Sequence, residues 1–300
     1  MRFRKSRDYS TGDIVFFIIS GLLLTCFFLI VLYPCIFVLS ASFSSGSAVQ
    51  AGKVWLFPVN FTFSGYEFVL KYEDVWRGYR NTIFYTVTNV ILTMICQLLV
   101  AYPLSKPNYQ AKHLVQRIML VAMLTGAGLV PSFLMRVWLG INNTVWAVII
   151  SGLVGISNVF IIRTSFRSGI PQDLFDAAKI DGCSELRQLT TIAIPLAKAV
   201  VSVQILYAVV GMWNSYFGAM IYLSSQPDLW PLQLVLRNIM SGASISPEEL
   251  TTAALEAMEK SGIEQIRYCL IVVATVPMLL MYMICQKYFE KGVMVGSVMG

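Results

Sequence analysis

Six stretches of this chain run for eighteen or more residues without a single Asp, Glu, Lys or Arg: 14–40, 81–105, 118–135, 137–162, 199–224 and 268–286. A helix of about twenty apolar residues spans the ~30 Å hydrocarbon core of a bilayer. In lipid the backbone N–H and C=O groups must be satisfied by the chain itself, which leaves helices and closed barrels as the spanning forms. Uninterrupted apolar runs, without period-two alternation, select the helix. The expected fold is therefore all-α, a polytopic membrane protein with six transmembrane helices. Hydrophobic residues make up 57% of the chain and charged residues 13%, where soluble chains carry about 25% charged residues. A soluble enzyme is excluded on those grounds.

The net charge of +6 follows the loops and is not a nucleic-acid signal. With the N-terminus inside, the inner segments hold fourteen of the 22 Lys and Arg, among them Arg2, Arg4, Lys5, Arg7, Lys106, Lys112, Arg163, Arg167, Lys179 and Lys198. The positive-inside rule then sets both termini in the cytoplasm. The first apolar run has basic residues before it but no small-residue cleavage site, and it reads as a span. Six cysteines are scattered with no CxxC pair, so no zinc or redox motif is indicated. His113 is the only histidine and reads as a solvated basic residue. No GxxxxGK[ST], HExxH or GxSxG occurs, so the chain carries no nucleotide loop of its own, no catalytic set and no metal site. Few charges lie within the spans, which argues against a proton- or sodium-coupled carrier.

Between the fourth and fifth runs lies a polar piece, 171–195, PQDLFDAAKIDGCSELRQLTTIAIP. Pro171 suits a first helical turn. Leu174, Ala177, Ala178 and Ile180-Asp181 then read as one short amphipathic helix. Gly182 sits where a helix ends in a left-handed residue, and Ser184 can cap a second helix through Arg187 and Thr191. Helix, glycine break, helix is the expectation, on the cytoplasmic side.

The spacing resembles the signature of ABC importer permeases: E-A-A, two residues, D-G, nine residues, I-x-L-P. Here it stands as Asp176-Ala177-Ala178, Asp181-Gly182, then Ile192-Ala193-Ile194-Pro195, with Asp176 for Glu and Ile194 for Leu. The wider chain, from about Asp13 to its end, is similar to carbohydrate-uptake permeases of the maltose-transporter G type, and to their complex-oligosaccharide subgroup. The resemblance implies an importer-permease (MetI-like) core of helices two to six, residues 81–286. It implies a cytoplasmic tail 1–13, a first helix 14–40, an extracytoplasmic segment 41–80, a cytoplasmic coupling loop 168–196, an extracytoplasmic loop 225–266 and a tail 287–300. It implies oligosaccharide import across a bacterial cell membrane. The implied partners are a homologous second permease, a cytosolic ATPase dimer that binds Mg-ATP, and an extracytoplasmic solute-binding protein. No cofactor is expected in this chain. The implied ATPase-coupling residues are Leu174, Asp176, Ala177, Ala178, Asp181, Gly182, Glu185 and Pro195. A non-sugar solute, or a secondary carrier or channel, stands as the alternative.

The spans themselves say less. Asn158 is costly facing lipid and is expected to face a helix or a water-filled path. Gln204, Tyr207, Gly211, Asn214, Ser215 and Gly218 share one face if the fifth span is a continuous helix. That face is either a tight helix seam or the wall of a sugar path, to which the adjacent Trp213 and Tyr216 would add flat apolar surfaces. The aromatic-rich segment 41–80 reads as lying on the outer membrane surface, with a direct ligand role as the alternative. In the loop 225–266, Pro247 and the following glutamates read as a helix through about Lys260, and the resemblance implies contact with the binding protein.

Overall fold

The computed structural model describes residues 10–241 and 262–283. Within them the regular structure is helical, with one isolated bridge between Ser44 and Phe61. The chain divides into two compact units: Met1–Tyr72 with Ser246–Val273, and Glu73–Ile245 with Ala274–Gly300.

In the first unit, α1 (Thr11–Ser42) is apolar on every side, with Phe16, Leu22, Leu24 and Phe27 all exposed and burial confined to Ser40, Ala41 and Ser42. A helix without a polar face belongs in lipid. Its last turn is the anchor. Ala41 packs with Ala48 and Val54, under Phe37 and Tyr268. Two short helices follow, α2 (Gly46–Gln50) and α3 (Ser64–Lys71). Gln265, fully buried at the start of the last helix (Gly262–Met283), ties the unit together. Its amide donates to Ser42 O at 3.1 Å and Thr62 O at 3.2 Å, and its carbonyl accepts from Ser64 Oγ at 3.1 Å. Gly65 permits the close approach of α3: a Cβ there would lie 2.7 Å from Cys269 Sγ. Phe43, Phe61, Phe63 and Tyr66 cluster beside this joint, with ring centroids 5.0–5.7 Å apart.

The second unit is organised on α4 (Glu73–Ser105), which starts eight residues before the expected span. Its packed side is polar at many positions: Asn81, Thr82, Thr86, Asn89, Thr93 and Gln97 are all buried. The reason is visible in what they hold. The expected fourth span, 137–162, is not one helix. It breaks into α7 (Val145–Ile149) and α8 (Ile156–Gly169), after α5 (Lys112–Thr125) and α6 (Leu129–Trp138). Backbone freed by a break has no water to turn to in a membrane. Asn89 Nδ2 donates to Ile149 O at 2.6 Å and to Ser151 O at 3.2 Å. Arg136 donates to Ala147 O at 3.1 Å and Ser151 Oγ at 2.9 Å, and lies 4.0 Å over the Tyr222 ring. At the other end of α4, Asn81 Nδ2 takes Asp228 O and Trp230 O at 2.7 and 3.1 Å, and Tyr85 OH takes Leu229 O at 2.7 Å.

Glycines set the breaks. Gly152 has φ +75°, and α5 and α6 meet at 114° where Gly126 (φ +51°) and Gly128 (φ +70°) flank Ala127. The expected third span, 118–135, is therefore bent. Ahead of α7 the side chain of Thr144 makes no cap hydrogen bond to the helix. Asn143 Oδ1 accepts from Ser225 N at 3.3 Å and its N–H donates to Tyr222 O, while the Thr144 hydroxyl goes to Ile141 O. The fifth span also stops early: α12 is Lys198–Trp213, and α13 (Phe217–Tyr222) follows after Asn214-Ser215-Tyr216. Three helices, Thr11–Ser42, Glu73–Ser105 and Gly262–Met283, are long and apolar enough to cross a membrane, and counting each bent pair as one span brings the number to five among the described residues. The expected basic tail before residue 10, the helix from Pro247 to Lys260 and the C-terminal tail lie outside the described residues.

Candidate functional site

The loop 171–195 folds as two short helices around one glycine. Helix α9 (Gln172–Ile180) begins after Pro171, and α10 (Glu185–Gln188) begins after Ser184, whose Oγ accepts from Arg187 N at 3.4 Å. Thr191 does not join that cap; its hydroxyl donates to Arg187 O at 2.6 Å. Gly182 closes α9 with φ +73°. Cys183 N–H reaches Ala178 O at 2.9 Å and Gly182 N–H reaches Lys179 O at 3.1 Å. That is the six-to-one and five-to-two pair of a Schellman C-cap. A Cβ on Gly182 would meet nothing within 4 Å. The demand for glycine is thus conformational, about 1–2 kcal/mol for an L side chain in the left-handed region.

Helix α9 has one inward anchor. Phe175 is buried at 5% exposure, while Asp173, Leu174, Asp176, Ala177, Ile180 and Asp181 are exposed and Ala178 is half-buried. Ile180 at 87% and Leu186 at 66% are exposed apolar side chains on a hydrophilic loop. Asp176 accepts from Gln172 Nε2 at 3.3 Å and otherwise faces outward.

On the other side Phe175 meets the C-terminal end of α4. Its ring lies 6.2 Å from that of Tyr102, edge to face, and Lys106 Nζ stands 3.4 Å above its centroid. Lys106 Nζ is also 4.6 Å from the Tyr102 ring centroid, 3.4 Å from Gln188 Oε1 and 3.9 Å from Glu185 Oε2. Tyr102 OH donates to Glu185 Oε2 at 2.9 Å, and Gln188 Nε2 to Cys183 O at 2.9 Å. Burial pushes the Lys106 ammonium below its ordinary pKa, with Glu185 and Asp176 pulling it back up. Magnitudes rank the contacts. The Glu185 carboxylate is 64% exposed, so its ion pair is worth ~0.2–1 kcal/mol at most. A desolvated ammonium over an aromatic face reaches ~2 kcal/mol. A cavity of about 430 Å³ opens beside this joint, lined by Tyr102, Lys106, Tyr109, Phe175, Lys179 and Leu186 among others.

Beyond Gln188 the chain makes a π-turn, Leu189–Ala193, in which Ile194 N–H bonds Leu189 O, and Pro195 follows in α11 (Ile194–Leu196). Proline cannot supply the N–H of a regular helical ladder, and the segment 185–196 meets α12 at 88°. Pro195 itself is exposed.

The membrane-embedded candidates are spread over different environments. Gln204 is 1% exposed, and neither its Oε1 nor its Nε2 has a hydrogen-bond partner. Tyr207 (59%) is exposed, as are Gly211, Asn214 and Tyr216. Trp213 is buried, with its indole N–H donated to Ala274 O at 3.3 Å. Asn158 is half-buried on α8, its Nδ2 packed against Gly155. One register therefore does not hold these residues on one face: α12 ends at Trp213, and Ser215 and Gly218 lie beyond it. Lys106, Tyr102, Phe175 and Gln188, and the polar side of α4, escaped the sequence reading. The signals were present. Phe175 is the only aromatic residue in 171–195, and Tyr102 and Lys106 stand four apart at the end of a span.

The chain matches the family model of the binding-protein-dependent transport system inner membrane component over residues 9–295. It is 32% identical over 271 residues to protein LplC of Bacillus subtilis, covering 90% of each chain. It is 32% identical over 284 residues to the polygalacturonan/rhamnogalacturonan transport system permease protein YtcP of the same organism, covering 94% of this chain and 97% of that one. Among solved structures, a chain of a bacterial ABC transporter involved in the import of the acidic polysaccharide alginate superposes with a TM-score of 0.87 at 34% identity, over 95% of this chain and 100% of that chain.

Proposed function

The chain belongs to the family of binding-protein-dependent transport system inner membrane components, and from that premise we propose that it is the permease subunit of an ATP-driven importer that moves an oligosaccharide by alternating access. The observation that carries the mechanism is the two-sidedness of α9: Phe175 holds it to α4, while Leu174, Ala177 and Ile180 are left outside. A cytosolic ATPase dimer, which binds Mg-ATP, covers that outer side. Closure of the ATPase pushes α9, and the permease rocks against a homologous second permease to expose its path outward. Both termini then lie in the cytoplasm, and an extracytoplasmic binding protein delivers the cargo.

The relatives support the cargo class. Import of alginate and transport of polygalacturonan are activities of similar proteins. In this chain Tyr207, Asn214 and Tyr216 offer exposed ring and amide surface around the end of α12, where a saccharide path would need it. Asn158 and Gln204 fit the same path only if it opens between helices, and Trp213 supports its wall. Arg237 on α14 (Leu232–Ser241) lies 5.5 Å from the Tyr216 ring and contacts Met220 Sδ, with no carboxylate partner among the described residues. A guanidinium on an aromatic face, without a carboxylate partner among the described residues, suits an acidic saccharide.

The test is uptake into proteoliposomes holding the complete transporter, using labelled oligoalginate, oligogalacturonate and a neutral glucose oligosaccharide. ATP-dependent uptake of an acidic saccharide, lost in Gly182→Val, is the expected outcome. Uptake that continues without ATP would assign the chain to self-contained carriers instead.

A further inference from the structure

The coupling loop meets the membrane bundle through an apolar cluster that includes Phe175, Leu189 and Ala193, and through one ammonium group. Lys106, one residue beyond α4, is 16% exposed and is shared by three elements. It sits above the Phe175 ring of α9, reaches Gln188 of α10, and covers the face of Tyr102 on α4 itself. Tyr102 bonds Glu185, and Gln188 bonds back to Cys183 across the glycine turn. Tyr102 bridges the same elements from within α4, its ring against Phe175 and its hydroxyl on Glu185 and 3.3 Å from Gln188 Oε1, and the ammonium of Lys106 adds a positive charge between them. Below it, Ala101, Tyr102 and Leu104 of α4 pack with Phe166, Phe175 and Leu189 in one apolar cluster. Apolar packing alone is non-directional, and so would let α9 slide along α4. The ammonium fixes the register, because its ring face and amide oxygen are each in one position.

Resting on the importer reading above, we propose that Lys106 is a positioning residue for coupling: it locks α9 and α10 to the end of α4, so that a push on α9 is delivered to the bundle as displacement of α4. Without it the loop absorbs the push. The ATPase goes on hydrolysing, and the path does not switch.

The experiment uses the complete transporter in lipid, with the saccharide that the wild-type complex imports as the probe. Lys106→Met keeps the length and apolar packing of the side chain and removes the charge. The expected result is uptake reduced about tenfold or more with ATP hydrolysis within about twofold of wild type, so that ATP consumed per saccharide rises in proportion. Lys106→Arg, whose guanidinium can stack on the same ring, restores most of the coupling. Phe175→Leu, which keeps burial and removes the ring face, uncouples as Lys106→Met does. Uptake and hydrolysis falling together in Lys106→Met overturn the proposal, as does coupling left intact.

A spin-label pair at exposed Asn108 and Asp173 reads the joint without any cargo. One narrow distance in wild type and a distribution about twice as broad in Lys106→Met are expected. Equal widths in the two proteins contradict the lock. Should Lys106→Met fail to assemble, Phe175→Leu decides by the same two readouts. A wild-type complex without ATP-dependent uptake sinks the importer reading, whereas a coupled Lys106→Met complex sinks the lock alone.

Discussion

The loop 171–195 and the end of α12, to which the proposed function assigns ATPase coupling and the saccharide path, are built in opposite ways. The loop is local. Twenty-five consecutive residues (171–195) make two helices, a glycine turn and an anchor, and the outward residues are set by their spacing alone. The end of α12 is assembled. Its helix stops at Trp213, which is buried while Tyr207 and Asn214 are exposed, and the Arg beside Tyr216 comes from α14. A surface that meets a protein partner can be written in one short stretch. A surface that meets cargo between helices has to be gathered from several.

The comparison breaks first at Gly182. If the loop's geometry is local, one backbone angle controls it. Gly182→Val forces a β-branched residue into φ +73°, at about 1–2 kcal/mol or more, and the C-cap is expected to open. Uptake should be lost while the chain still inserts, and Gly182→Asn, which tolerates that angle, should keep most of it. ATP-dependent uptake compared between the two variants checks this. Equal loss in both would mean that the space around Gly182, not its backbone, is what matters.

The second test concerns the breaks that shape the membrane-embedded half. Asn89→Leu leaves Ile149 O and Ser151 O without their donor. Each buried unpaired group costs roughly 1–3 kcal/mol, so the thermal midpoint in detergent should fall more for this variant than for any single change on the outer side of α9. No fall would show that the two carbonyls find other partners.

A third contrast separates wall from path at the end of α12. Trp213→Ala removes a buried ring and should lower stability by about 3–5 kcal/mol. Tyr207→Ala removes an exposed one and should leave the unfolding midpoint within about 1 °C, since exposed substitutions cost ~0.5 kcal/mol or less. Its effect should instead be a few-fold rise in the saccharide concentration that half-saturates uptake. If Tyr207→Ala changes neither, its face looks onto lipid or onto the second permease.

The smallest effect is expected at Arg237. Arg237→Gln should weaken uptake of an acidic oligosaccharide by about tenfold or less, in line with ~1.4 kcal/mol for one charged contact, and leave a neutral one unchanged. Equal effects on both cargos would remove the guanidinium from recognition.

What the sequence made legible follows the same division. Apolar runs announce helices that meet lipid, and α1 and α4 stand where such runs predict them. The spacing around Gly182 announces the two-helix loop because capping is a matter of neighbours in sequence. The runs 118–135 and 137–162 misled, since an apolar composition says that a segment is in the membrane and not that it is straight. Gly126, Gly128 and Gly152 break them at positive φ, and Asn89, a donor that repairs the break before Gly152, lies sixty residues away in sequence. The polar side of α4 could not be read as meaningful until the broken backbone it serves was in place. Phe175 and Lys106 show the same limit: each is unremarkable alone, and their 3.4 Å contact joins residues on separate elements.

The most direct measurement is at Ile180, the most exposed apolar side chain of the loop at 87%. A photo-crosslinking amino acid in its place, activated in the intact transporter in native membranes, should attach to the ATPase subunit, and the yield should change when the ATPase is trapped with ATP and vanadate. Adducts only to lipid, or to a protein on the outer side of the membrane, would contradict the account.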